Sequence, residues 1–251
     1  MKLKIVLMSG LLLIMHLTNA QKKSAIISEA LPKDEFSRQK LFEHFKSVYD
    51  NAIKYSDFVV AREAIYNMLT LYPEKAGLKD TLTYLYYKTG SHVQVILLGK
   101  EILSVQPDKS DILELVAVSQ QNLNLLKDAL ENFERLFALT KDVYHQYNIA
   151  SLQYMLKRYG ECSENLNAII ASTDSMRVVT IFDNTGESQQ VPIKAAAFNM
   201  RGVIALEINQ ADVAKQNFQK AIELFPQFSL AKSNLEKIHA QESKPASGKK
   251  N

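Results

Sequence analysis

The side chains of this sequence best suited to metal binding or nucleophilic catalysis are five histidines and one cysteine: His16, His44, His92, His145, His239 and Cys162. A zinc site needs several such ligands converging at bonding distance. Here they are scattered, with no His-x-x-x-His pair and no cysteine beside a histidine, so no metal site is expected. A nucleophilic thiol needs an electropositive, partly exposed setting; Cys162 stands where the surrounding pattern wants a small packed residue and reads as structural. The chain has no phosphate-binding Gly-x-x-x-x-Gly-Lys loop, no Gly-x-Ser-x-Gly elbow and no dinucleotide fingerprint. No catalytic residue and no cofactor are predicted, and an envelope hydrolase built on scattered carboxylates is the remote enzymatic alternative.

Bulk composition narrows the class further. The 251 residues are 47% hydrophobic and 23% charged, with 8 Gly and 6 Pro. That is the balance of a soluble globular chain and too few turn residues for an all-β sandwich. The formal charge is +3, and Lys2 and Lys4 contribute two of those positives. The remaining near-neutral balance speaks against nucleic acid as a partner. A single cysteine rules out an intramolecular disulfide.

Lys2 and Lys4 precede an apolar run, Ile5 to Leu17, and Thr18-Asn19-Ala20 supplies small residues before the chain turns polar at Gln21. These are the parts of a secretory signal peptide over residues 1–20. The run is shorter than the roughly 20 apolar residues that span a bilayer, and an uncleaved anchor is the alternative. No Asn-x-Ser/Thr acceptor occurs. The expected mature protein is exported and soluble, periplasmic or secreted, with no membrane span.

The elements that would position any functional side chain repeat along the mature chain. Pro73 and Pro107 lie 34 residues apart, each closing a helical stretch. Gly90 and Asn124 share that spacing, each at a place where a left-handed residue would end a helix. Ala61, Val95 and Ala129 keep the same register. The clearest unit runs from Ala195 to Phe228, with Gly202, Ala205, Ala214, Phe218, Ala221 and Pro226. These positions resemble the signature of the tetratricopeptide repeat (TPR) family. The resemblance implies an all-α fold, a right-handed solenoid of helical hairpins. Five units are expected, 42–75, 76–109, 110–142, 143–176 and 195–228, with a short helix over 24–41 ahead of them. A solvating cap helix is expected over 229–241, and a disordered tail over 242–251.

Residues 177–194 interrupt the register. Arg177-Val178-Val179-Thr180-Ile181-Phe182, the turn residues Asp183-Asn184-Thr185-Gly186, and Gln189-Gln190-Val191-Pro192-Ile193 predict a β-hairpin. Pro192 places its strand at an edge. Added to a complete repeat, the insertion is expected to contribute little to the core; it reads equally as a functional face or as a tolerated excursion.

The family resemblance also implies a binding surface. First helices of successive repeats line a concave groove, and the family's ligand-facing places map here onto residues of every unit, Asp50, Asp80, Glu114, Asn122 and Glu207 among them; the partner-binding groove is expected at Lys46, Tyr84, Tyr87, Lys88, Gln121, Tyr144, Tyr147, Tyr154 and Asn199. Tyrosine joins apolar area to a hydrogen-bonding tip and suits protein recognition. Some of the five tyrosines could instead pack between helices, Tyr84 and Tyr87 first. Lys46 is followed by Asp50 where the family's carboxylate clamp has an amide, which argues against that clamp. The expected function is a non-enzymatic periplasmic scaffold binding a protein or peptide partner in the cell envelope. A structural subunit of an outer-membrane or secretion assembly is the alternative.

Overall fold

The computed structural model describes residues 32, 34–173, 177–183 and 185–242. The expected signal peptide over 1–20 and the tail beyond Glu242 lie outside them. Eleven helices occur among the described residues: α1 (Glu35–Lys54), α2 (Phe58–Leu71), α3 (Leu78–Lys88), α4 (His92–Val105), α5 (Ser110–Asn122), α6 (Leu126–Thr140), α7 (Val143–Met155), α8 (Tyr159–Ala171), α9 (Ile193–Glu207), α10 (Ala211–Leu224) and α11 (Ser229–Glu242). Between α8 and α9 lies a hairpin of β1 (Val178–Phe182) and β2 (Ser188–Pro192). The chain divides within α3 into two compact units, one running through Leu85 and the other starting at Tyr86.

The helices pair because their turns repeat one piece of backbone chemistry. Ser56, Gly90, Asn124, Lys157 and Asn209 all have φ between 58° and 68°, each between the two helices of a hairpin. The next residue's N–H then reaches back to a carbonyl five residues earlier: Asp57 to Ala52, Ser91 to Tyr86, Leu125 to Gln120, Arg158 to Gln153, Gln210 to Ala205, all at 2.8–2.9 Å. This left-handed closure satisfies carbonyls that the helix end would leave open. It recurs in both units.

In the first unit α1 lies on α2, burying Phe42 and Ala52 against Ala61, Ala64, Ile65, Met68 and Leu71. Here α1 runs without a break from Glu35, so residues 35–41 and 42–54 form one helix rather than a separate cap and a repeat helix. Asp34 starts it, its carboxylate accepting from Ser37 N–H at 2.8 Å.

In the second unit each helix from α4 to α11 contacts the next. Small residues set the closeness. A Cβ built on Gly202 would stand 2.5 Å from the Phe218 ring, and one on Gly99 would stand 2.2 Å from Val116 Cγ2. Phe133 and Phe218 are fully buried, beside Ala117 and Ala129 and beside Ala205 and Ala214 respectively. Ile238 and Leu235 of α11 close over Phe218.

The insertion is a hairpin, but the expectation that it adds little to the core does not hold. Val179 of β1 and Val191 of β2 are buried in the same cluster as Leu166, Ile169 and Ile193. Alternation turns these two inward while Val178, Thr180 and Phe182 face solvent. The Ile193 N–H bonds the Arg177 carbonyl, so the neighbouring Val178–Pro192 pair is a non-hydrogen-bonded one and the missing N–H of Pro192 costs no ladder bond. Gln189 ties the hairpin onward: its amide donates to Gln227 O at 2.6 Å, and its carbonyl accepts from Ser229 N–H, at the start of α11, at 3.2 Å.

Candidate functional site

The first unit carries two of the expected groove residues. Lys46 is exposed on α1, and its ammonium donates to Asp50 Oδ2 at 2.9 Å. It borders a cleft of about 380 Å³ floored by Phe42, Ile65 and Met68. Tyr84 is half-exposed on α3.

The second unit holds the others and separates them into three groups. Tyr87, Glu114 and Tyr144 come together; Tyr154 stands elsewhere with Tyr159; Tyr147 and Asn199 are buried. Tyr147 is a correction: the expectation places it on the ligand-facing side of the groove, with Tyr84 and Tyr87 the first candidates for packing between helices. It is 8% exposed and belongs to the core cluster that Val143, Ala150, Val179 and Val191 share. Burial pushes its phenol far above the usual range. The physical reason is that α7 is packed on several sides: Val143, His145, Tyr147, Ile149, Ala150 and Leu152 are all buried. The repeat register assumes a helix with one free face. Asn199 is buried too, and accepts a hydrogen bond from the Asn234 amide of α11 at 3.1 Å, so it anchors the last helix. Tyr154 is half-buried, its ring 5.9 Å from that of Tyr159. Lys88 is exposed and Gln121 half-buried.

The group around Glu114 is the one with the geometry of a site. Burial is the main cause that raises the Tyr87 phenol pKa, with smaller contributions from nearby Tyr144 and Glu114. Tyr87 stacks edge-on to His92 at 6.2 Å, and His92 Nδ1 is 3.1 Å from the Ser119 hydroxyl. Tyr144 stacks edge-on to His145 at 5.8 Å. The Arg177 guanidinium lies 6.0 Å from the Tyr144 ring centre and pairs with the Asp142 carboxylate through two nitrogens. Asp142 also caps α7, accepting from Tyr144 N–H at 2.8 Å. The first residue of the insertion is thereby fixed to the first turn of α7.

His145 is buried beneath this patch. Its Nδ1 is 2.8 Å from the Thr140 hydroxyl and its Nε2 is 3.8 Å from Glu114 Oε1. His145 is the main cause that holds the Glu114 carboxyl below the usual carboxylate range, against the opposing effect of partial burial. Sequence reasoning passed over His145, Asp142 and Arg177. The one available signal was their position: Asp142 and His145 flank the ligand-facing Tyr144, and Arg177 opens the insertion.

The Cys162 thiol is buried, donates to the Ala150 carbonyl at 3.1 Å, and is pushed up to about 12 by burial; it is a poor nucleophile. Among the described residues no three of His, Cys, Asp and Glu converge as metal ligands, and no helix is long and apolar enough to cross a membrane. A cleft of about 410 Å³ between α4 and α6 includes Lys100 and Arg135. Its polar groups bond one another: Asn132 to Gln120 at 2.7 Å, and Arg135 to Asn132 at 3.2 Å.

No family model matches the chain, and no curated protein sequence matches it. Solved structures do. A tetratricopeptide repeat protein from Parabacteroides merdae superposes with a TM-score of 0.63 at 15% identity, over 81% of this chain and 74% of that one. YrrB, described as a TPR protein with an unusual peptide-binding site, gives 0.58 at 15% identity, over 77% and 88%. MamA from Desulfovibrio magneticus gives 0.59 at 9% identity, over 75% and 97%.

Proposed function

The chain has the TPR fold, and we propose that it is a non-enzymatic scaffold of the bacterial periplasm. Its first twenty residues direct export, and its first-helix face binds another exported or envelope protein. The observation that carries this reading is the patch at Glu114 and Tyr144, with Tyr87 near them on α3: a carboxylate 3.8 Å from His145, the Tyr144 ring edge-on to that histidine at 5.8 Å, and Arg177 at the border. Aromatic anchors of this kind concentrate interface energy. YrrB, whose description names a peptide-binding site, supports a peptide or an extended segment as ligand.

The test is affinity capture from the cell envelope with the mature chain and with a Tyr87→Ala, Tyr144→Ala double variant. A partner held by the parent and released by the folded double variant supports the reading. Equal capture by both would move the working surface elsewhere. Tyr147 is unsuitable for such a test, because removing a buried ring damages the fold.

A further inference from the structure

We infer that the Glu114 patch takes a cationic side chain, Lys or Arg, from the partner; this rests on the first-helix face being the binding surface. The argument starts from the proton count at Thr140. Its hydroxyl has one proton, and the Leu136 carbonyl at 2.9 Å can only accept it. Thr140 therefore accepts from His145, and Nδ1 carries the ring's hydrogen. In the neutral ring Nε2 is then a bare acceptor, and it faces Glu114 Oε1 across 3.8 Å. That gap is too long for a hydrogen bond between them, and both sides are acceptors. An ammonium or guanidinium group donates several N–H bonds and satisfies both at once.

The surroundings favour a cation over water or a neutral donor. His145 is 6% exposed, so its ring is held in place. The Glu114 side chain is 43% exposed, so solvent supports its negative charge. Arg177, a cation on this edge of the patch, has two nitrogens committed to Asp142, and its pull on Glu114 is the weakest of those that act there. The Tyr144 ring meets that of His145 at 5.8 Å, and aromatic faces attract cations.

The test uses peptides of eleven residues with randomised flanks and a fixed central residue: Lys, Arg, norleucine or Glu. They are passed over the immobilised mature chain. We expect Lys and Arg peptides to be retained at least tenfold over norleucine, with Glu lowest. Glu114→Gln should erase the preference, and Glu114→Lys should turn it toward the Glu peptides. Both variants are checked for parental circular dichroism. If the parent retains all four sets equally and the Tyr87→Ala, Tyr144→Ala variant retains none, the binding face stands and the cation pocket falls. If the parent retains no set, both fall.

Discussion

Between α6 and α7 the chain takes two residues, Lys141 and Asp142; between α8 and α9 it takes the whole of 172–192. At the short junction Lys141 adopts a left-handed conformation and Asp142 caps the next helix. The two helices then close over a core of their own residues, Phe133, Leu136, Ile149 and Leu152. At the long junction the linker itself supplies core. Val179 and Val191 sit among Leu166, Ile169 and Ile193, Gln189 bonds the start of α11, and Arg177 reaches back to α7. An interruption of a repeat is thus not always a loop laid over finished structure. This one replaces the direct helix-to-helix step and places a charged residue at the edge of the candidate site.

The strongest way to break this comparison is to remove the insertion. Replacing 177–192 with a short Gly-Ser linker should cost about 3–6 kcal/mol, because two valines lose burial worth about 1.5–3 kcal/mol each. Urea denaturation measures it, and an unchanged midpoint would show the hairpin to be an ornament after all. At the regular end of the unit, Phe218→Ala should cost about 3–5 kcal/mol. Gly202→Ala should cost about 1–3 kcal/mol through overpacking against the same ring. Thermal melts of both that overlay the parent would refute the repeat register there.

A finer contrast lies on α7 alone. Tyr147→Ala should lower stability by about 3–5 kcal/mol, as for other buried rings. Tyr144→Ala, half-buried at the surface, should cost less than half as much. Equal losses would mean that Tyr144 is structural, not recognitional. The smallest expected effect is electrostatic. Glu114 has its carboxyl pKa lowered in the folded state, so it stabilises the fold above the unfolded carboxyl value of about 4.3. That contribution is lost as pH falls from there through the lower folded value. Glu114→Gln should therefore flatten the acid side of the stability profile below about pH 5, matching the parent at low pH and lying slightly below it at neutral pH. A parental acid limb in the variant would contradict the pairing with His145.

Much of the fold was legible because the repeat is written in residues with few alternatives. Gly90, Asn124 and Asn209 are types that tolerate a left-handed conformation, and all three adopt it. Ser56 and Lys157 adopt it as well, and nothing in their chemistry announces it; the backbone bonds of the turn impose it. Gly202 and Phe218 were legible as signature positions of the repeat, and the structure places them together.

The site was less legible. The register puts Tyr144 and Tyr147 on one face, yet a helix turns roughly 300° over three residues, enough to carry Tyr147 into the cluster that the insertion enlarges. Burial by an element outside the repeat is invisible to a repeat pattern. His145 was passed over because a lone histidine carries no motif. Its role comes from Thr140 and Glu114, one from the preceding helix end and one from α5. Arg177 and Asp142 lie 35 residues apart, and only the hairpin's path brings them together.

The most direct test of the binding face is site-specific photocrosslinking in intact cells. A benzoylphenylalanine is placed at Tyr144 and, separately, at Gln219, which is exposed on α10. The account predicts a discrete crosslinked partner from position 144 that disappears with Glu114→Lys, and none from position 219. A partner captured at 219 and absent at 144 would contradict it.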